Sequence, residues 1–132
     1  RDRTGLEEFR NRELSQLSGG QRQRVFIAMA LAQNTKILFL DEPTTYLDIR
    51  YQLDILRLVK KLNREYGITI VMVLHEINQA IHFSDEVIGL KDGKVLVQGD
   101  PKDVITTESI SELYDVHLNV ADIDGQKFAL TV

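Results

Sequence analysis

The chain has 132 residues, with 20 Asp and Glu side chains against 16 Lys and Arg, and a formal net charge of -4. Hydrophobic residues make up 43% and charged residues 27%, a composition typical of globular domains and not of disordered segments. The acidic balance argues against general nucleic-acid binding, and the lack of cysteine excludes disulfides, zinc–thiolate sites and thiol nucleophiles. No apolar run approaches the ~20 residues that cross a bilayer. Because the chain starts at Arg1 without a methionine, we expect it to be a piece of something longer.

The first half of the chain predicts a strand–helix–strand unit after an apolar helix. Val25–Ala32 is apolar and alanine-rich, as in a buried helix. Ile37–Leu40 is apolar on both faces, which is typical of a central strand in a covered parallel sheet. Ile49–Tyr66 has apolar side chains at three- and four-residue spacing and predicts an amphipathic helix that Gly67 ends. Ile68–Leu74 is rich in β-branched residues and predicts a second buried strand, so the three elements form a parallel βαβ unit.

The second half predicts short helices and two hairpins. A short helix is expected after His75 through Phe83, and Pro101 stands at a plausible helix start. Thr107–Tyr114 predicts another short helix, while Asp92-Gly93 and Asp124-Gly125 are two-residue hairpin signals. The fold class that follows is α/β.

Two successive glycines precede the apolar helix, in the segment Leu17–Gln21. Ser18 and Gln21 have the spacing of a capping box at a helix start. That interpretation does not explain Gly19 and Gly20, which cost helix stability unless something approaches the backbone closely. Bare amides and a hydroxyl at a helix N-terminus also make a phosphate site, so both interpretations stay open for this segment alone.

Two adjacent carboxylates, Asp41 and Glu42, follow the first predicted strand. The C-terminal end of a parallel strand is where α/β sheets bind ligands. There Asp41 could orient Mg²⁺ or its water while Glu42 polarises an attacking water. Acidic residues that simply end a strand before a proline turn are the plainer alternative.

Three histidines occur, of which one ends a predicted strand. His75 follows the second strand, so in a parallel sheet it would face the same edge as the two carboxylates. His82 and His117 lie elsewhere in the pattern, and we interpret both as structural.

Taken together, these segments resemble the nucleotide-binding subunit of ABC transporters. The signature is LSGGQ at Leu17–Gln21, the Walker B strand runs over Ile37–Asp41, the D-loop is Tyr46-Leu47-Asp48, and His75 matches the switch histidine. The sequence LSGGQRQRV is similar to transporters, not to DNA-repair or chromosome-structure ATPases. The stretches EPTTYLDI, LHEINQA and DGKVLVQGDP look most like the iron–siderophore importer ATPases.

The resemblance implies a role for each matching residue. Glu42 would be catalytic together with His75, and Asp41 would hold Mg²⁺. The signature residues would contact the γ-phosphate of ATP bound by the partner subunit: Ser18, Gly19, Gly20 and Gln21. Asp48 would also bind nucleotide and would lie at the dimer seam. The implied partners are a second ATPase subunit in a head-to-tail dimer and an integral membrane permease, with no nucleic acid, and the implied location is peripheral, on the cytoplasmic face of the cell membrane.

The resemblance also implies which part of the domain is present. A P-loop needs GxxxxGK[ST], and no lysine in this chain is followed by Ser or Thr. We therefore expect the second half of a P-loop NTPase (RecA-like) core. Residues 1–33 would end the helical subdomain and include the signature helix. Residues 34–100 would hold the Walker B, D-loop and switch-histidine core, and residues 101–132 the C-terminal helices and hairpin.

Two rival hypotheses remain. A non-transport ATPase of the same superfamily, acting on DNA or the ribosome, would share the Walker B strand and the switch histidine. Alternatively, the piece is a truncated or proteolysed domain that is inert by itself.

We predict that the isolated chain does not bind ATP usefully, because a P-loop normally supplies most phosphate contacts. Calorimetric titration of the isolated chain with Mg-ATP checks this. Micromolar affinity would contradict the prediction.

Overall fold

The computed structural model describes residues 25, 28–30, 32–34 and 36–131, and the chain divides into two units, Arg1–Val73 and Leu74–Val132. The described residues between Val25 and Ala32 are helical, as predicted. In chain order the elements after them are β1 (Ile37–Asp41), α1 (Ile49–Tyr66), β2 (Thr69–Val73), α2 (Ile77–Phe83), β3 (Val87–Lys91), β4 (Lys94–Gly99), α3 (Pro101–Val104), α4 (Thr107–Tyr114), β5 (Asn119–Ile123) and β6 (Gln126–Leu130). The α/β class is confirmed. No helix in the described ranges is long and apolar enough to cross a membrane.

The first unit contains the predicted βαβ arrangement. Strands β1 and β2 pair in parallel, from Ile37 opposite Thr69 to Asp41 opposite Val73. Helix α1 makes the crossover between them, because parallel strands need a long connection. One face of the pair packs against a core of buried residues and partly buried strand residues: Ala30, Leu58, Leu62 and Ile68 with Leu38 and Ile70.

The other face of β1 and β2 is open among the described residues, which corrects one expectation. Ile37 is 52% exposed, Phe39 73% and Val73 51%. A run that is apolar on both faces predicts that both faces of the strand are covered. The residue pattern does not say which element covers each face. Within the described residues, α1 covers one of them.

Helix α1 has a defined cap at each end. Asp48 precedes it in extended conformation, and its Oδ1 accepts a hydrogen bond from the Tyr51 amide at 3.3 Å. Gly67 ends the helix with φ 67, and its amide donates to the Asn63 carbonyl at 3.1 Å. The left-handed conformation favours glycine, so the predicted C-cap is confirmed.

The second unit contains two antiparallel hairpins and three helices. Asp92-Gly93 (φ 52 and 75) and Asp124-Gly125 (φ 53 and 81) form the predicted hairpin turns, because positive φ at both central residues matches the twist of the strands. The core of this unit is apolar: Ile81, Ile105 and Ile110, with Ile77, Val87, Val104, Leu113, Leu118 and Val120 packed against them.

A charged contact ties α4 to β3 in the second unit. The Lys91 Nζ donates to the Glu112 carbonyl in the last turn of α4 and lies 2.7 Å from the Asp115 Oδ1. This hydrogen bond to Asp115 raises the pKa of Lys91. A lysine at a helix C-terminus satisfies a carbonyl that the helix itself leaves open.

We predict that Asp48→Ala lowers the free energy of unfolding by about 1 kcal/mol, because the Tyr51 amide loses its side-chain acceptor at the start of α1. Urea unfolding followed by circular dichroism measures the change. Asp48→Asn is the matched control, since its amide oxygen can still accept, and it should stay close to wild type. Equal stability of the alanine variant and wild type would contradict the capping role.

Candidate functional site

Asp41 and Glu42 lie where β1 ends. Asp41 is the last residue of β1, is exposed, and stands opposite Val73, the last residue of β2. Glu42 follows directly and is half-buried. The two carboxylates therefore stand at the C-terminal end of a parallel strand pair, as predicted for a ligand site.

Glu42 has an unusual backbone conformation. Its φ is 52, a region that residues other than glycine enter at a cost of about 1–3 kcal/mol. Its amide donates to the Val73 carbonyl at 2.9 Å, which continues the β1–β2 hydrogen bonding one residue beyond the strand. Such conformations cluster at functional sites, where the surrounding bonds hold them.

Thr45 holds both the side chain and the backbone of Glu42. The Thr45 hydroxyl donates to the Glu42 Oε1 at 3.2 Å, and the Thr45 amide donates to the Glu42 carbonyl at 3.2 Å. Together with the bond to Val73, these contacts hold the backbone from which the Glu42 side chain extends. The Thr45 hydroxyl also provides one hydrogen bond to the carboxylate. Sequence reasoning did not select Thr45, although a hydroxyl three residues after Glu42 has turn spacing.

The segment between Glu42 and α1 turns twice. Tyr46 also has a positive φ, 67, and its side chain is fully exposed. The Gln52 side chain donates to the Leu47 carbonyl at 2.6 Å, and Asp48 caps α1. The structure thus gives Asp48 a local role, and its predicted position at a dimer seam stays a prediction.

His75 lies in the second unit, between Leu74 and helix α2. Its side chain is exposed. Glu76 is the N-cap of α2, and its carboxylate accepts from the Gln79 amide at 2.8 Å. Burial raises the pKa of the Tyr114 hydroxyl, and the charge of Glu76 raises it further, so Tyr114 is neutral at physiological pH. The prediction that His75 faces the edge occupied by Asp41 stays a prediction.

The donor set at the end of β1 fits magnesium. Within the part of the chain that the structure describes, no three His, Asp or Glu side chains gather into a metal cluster. Mg²⁺ does not need such a cage, because it usually binds through one or two carboxylates together with water and substrate phosphates. The exposed Asp41 carboxylate has the chemistry that such a site uses.

The signature segment lies outside the described residues. This applies to Ser18, Gly19, Gly20 and Gln21, so their predicted contacts with phosphate remain predictions. The end of the helical subdomain, within residues 1–33, also lies largely outside the described residues.

The two remaining histidines make structural contacts, as interpreted from the sequence. The His82 Nε2 lies 3.0 Å from the Lys127 carbonyl oxygen, and its ring meets Phe128 edge-on at 4.5 Å. The His117 Nε2 lies 3.0 Å from the Asn119 Oδ1. Sequence reasoning missed Asn78, which bonds the same strand as His82. Their four-residue spacing on α2 was the available signal.

Comparison with known proteins finds similar sequences along the chain. Residues 1–45 match the ABC transporter family. The ferric enterobactin transport ATP-binding protein of Escherichia coli (strain K12) is 47% identical over 119 residues, which is 90% of this chain and 44% of that protein. The chain thus spans a little under half the length of this curated relative.

Solved structures agree with this similarity. A metal-chelate type ABC transporter in an inward-facing conformation superposes with a TM-score of 0.71 at 31% identity, over 89% of this chain and 47% of that one. A dimeric ATP-binding cassette in a post-hydrolysis state, bound to ADP and phosphate, gives 0.52 at 49% identity, over 66% of this chain and 37% of that one.

The parallel β1–β2 pair, the two hairpins and the short helices agree with the C-terminal part of the ABC fold. The sequence similarity runs through almost the whole chain, well beyond the 45 residues that match the family itself. The chain is similar to the ATP-binding proteins of ABC transporters over most of its own length.

Proposed function

We propose that this chain is part of an ATP-hydrolysing subunit that powers import of an iron–siderophore or related metal chelate. The observation that carries the proposal is the Asp41-Glu42 pair at the end of β1, with Glu42 held at a positive φ by Val73 and Thr45. Two carboxylates there suit a phosphoryl-transfer site, in which catalysis is mostly positioning and charge stabilisation.

Glu42 is the residue we assign to the attacking water. A carboxylate oxygen can accept a proton from water as the water oxygen bonds to the γ-phosphorus and the bond from that phosphorus to the leaving ADP oxygen breaks. The Thr45 hydroxyl bonds the Glu42 Oε1, so the carboxylate is oriented before substrate arrives. A general base that is already oriented loses little freedom during the reaction.

Asp41 is the residue we assign to magnesium, either directly or through a water. The ion would neutralise charge on the β- and γ-phosphates of the bound ATP. His75 would contact the γ-phosphate region, where an imidazole can stabilise the transferring group or move a proton. These assignments rest on the strand-end position of Asp41 and on the resemblance.

The complete site would form between two subunits. The dimeric cassette with ADP and phosphate supports a second ATPase subunit as partner. Ser18, Gly19, Gly20 and Gln21 of one subunit would contact the γ-phosphate of ATP held by the other, and Asp48 would lie at the seam. Hydroxyl and bare amide donors suit this task, because both bind phosphate oxygens.

Transport would follow from closing and opening of this dimer. An integral membrane permease on the membrane side would take up the movement, so the ATPase would lie peripherally on the cytoplasmic face of the cell membrane. The ferric enterobactin relative and the metal-chelate transporter support a chelated metal as cargo. The same similarity favours a transporter over an ATPase that acts on DNA or the ribosome.

We predict that Glu42→Gln in the full-length ATPase abolishes turnover while ATP still binds. The amide keeps the shape and the acceptor for Thr45 but cannot take a proton, and loss of a general base costs ~10²–10⁴ in rate. Steady-state phosphate release and nucleotide titration measure the two effects. Glu65→Gln, the same change at an exposed position near the end of α1, is the matched control. Retained turnover in Glu42→Gln would mean that Glu42 only ends the strand.

We predict that Ser18→Ala and Gly20→Asp lower turnover with little loss of nucleotide binding at the subunit's own site. If Ser18 only capped a helix, its replacement would cost ~1 kcal/mol of stability and leave turnover intact. The aspartate would meet phosphate with like charge. ATPase rate, nucleotide affinity and thermal stability are measured together.

Mixed dimers and Gly20→Ala control this second prediction. A dimer with one Gly20→Asp subunit should lose the site at the partner's bound ATP and keep the other. Gly20→Ala tests the backbone without the charge. Full turnover with Gly20→Asp in both subunits would exclude this segment from the active site.

A further inference from the structure

Helix α2 is bonded to the edge of β6 by two side chains one turn apart. The Asn78 Nδ2 donates to the Ala129 carbonyl at 3.1 Å, and the Ala129 amide donates to the Asn78 Oδ1 at 2.8 Å. His82 reaches the Lys127 carbonyl at 3.0 Å. The Asn78 amide thus pairs with both backbone groups of Ala129, as a peptide group of a neighbouring strand would.

The hydrogen bonds of this joint are partly buried. Ala129 is 3% exposed and Ile81, between the two bonding residues, is 7% exposed. Hydrogen bonds in such surroundings are stronger than in water, and an unmade one is costly. The two bonds of Asn78 therefore restrict both the translation and the rotation of α2 against β6.

The same helix begins beside His75. Glu76 is the N-cap of α2, so His75 directly precedes the cap and lies three residues before Asn78. A helix of seven residues is marginal alone, and its position must come from what it packs against. Ile77 and Ile81 supply apolar contacts, but apolar contacts are not directional. Directional contacts include those to Ala129 and Lys127.

We propose that Asn78 is a positioning residue for His75: its paired hydrogen bonds to Ala129 fix where α2 begins and thereby where the His75 imidazole stands. The proposal rests on the proposed function, in which His75 acts on the γ-phosphate. The plainer alternative is that Asn78 only satisfies the edge of β6, as proteins often do.

The test compares Asn78→Ala with His75→Ala and with the double variant in the full-length ATPase. A displacement of about 1 Å can cost up to ~10²-fold in rate, so we expect kcat to fall at least severalfold in Asn78→Ala, with KM for ATP within about twofold. If Asn78 acts through His75, adding Asn78→Ala to His75→Ala should lower kcat no further.

Asn63→Ala is the matched control. The Asn63 side chain also donates to a backbone carbonyl, that of Ile68, at 2.9 Å and in a partly buried position, but it lies at the end of α1. It should lose comparable thermal stability and keep kcat. A similar loss of kcat in both variants would assign the effect to general stability and overturn the proposal. So would losses of Asn78→Ala and His75→Ala that multiply in the double variant.

The remaining outcomes separate this proposal from the proposed function. Wild-type kcat in Asn78→Ala beside an impaired His75→Ala overturns the positioning role and leaves the ATPase assignment intact. Full activity in His75→Ala overturns the role assigned to His75 and this proposal with it, but leaves the ATPase assignment intact. No ATPase activity in the wild type overturns the assigned function. If Asn78→Ala does not fold, Asn78→Asp takes its place in every comparison: it keeps the acceptor for the Ala129 amide and replaces the donor by a charged oxygen that repels the Ala129 carbonyl.

Discussion

The parallel pairing of β1 with β2 is the constraint on which the candidate site depends. Its register sets Asp41 opposite Val73, and the Glu42 amide then bonds the Val73 carbonyl one step further along. Parallel strands can be joined only by a long crossover, which is why the 18 residues of α1 stand between them. The buried leucines of α1 hold one face of the pair.

The strained backbone conformation of Glu42 sets how its carboxylate is placed at the end of β1. An ordinary extended residue after Asp41 would continue the strand, whereas a φ of 52 turns the chain at Glu42. Three hydrogen bonds, from the Glu42 amide, the Thr45 amide and the Thr45 hydroxyl, oppose the cost of that conformation. A carboxylate held in this way is already oriented, which is the property a general base needs.

In the second unit, hydrogen bonds of Asn78 likewise hold a short segment in place. Helix α2 is too short to set its own position, and directional bonds to β6 complement its apolar packing. Asn78 and Ala129 are 51 residues apart in the chain. Under the proposed positioning role, the segment that carries His75 would depend on a strand near the other end of the unit.

The sequence by itself determined the features whose physics is local. Helix periodicity, the Gly67 cap, the two Asp-Gly turns and the position of Asp41 and Glu42 at the end of β1 could all be predicted, because each depends on neighbouring residues or on spacing. Only the tertiary structure decided that the side of β1 bearing Phe39 is open among the described residues. It also decided that Glu42 adopts a positive φ and that Asn78 pairs with Ala129. The cover of a strand face, the strain at a residue and the pairing of distant groups all depend on contacts between residues far apart in the chain. The local residue pattern does not specify those contacts.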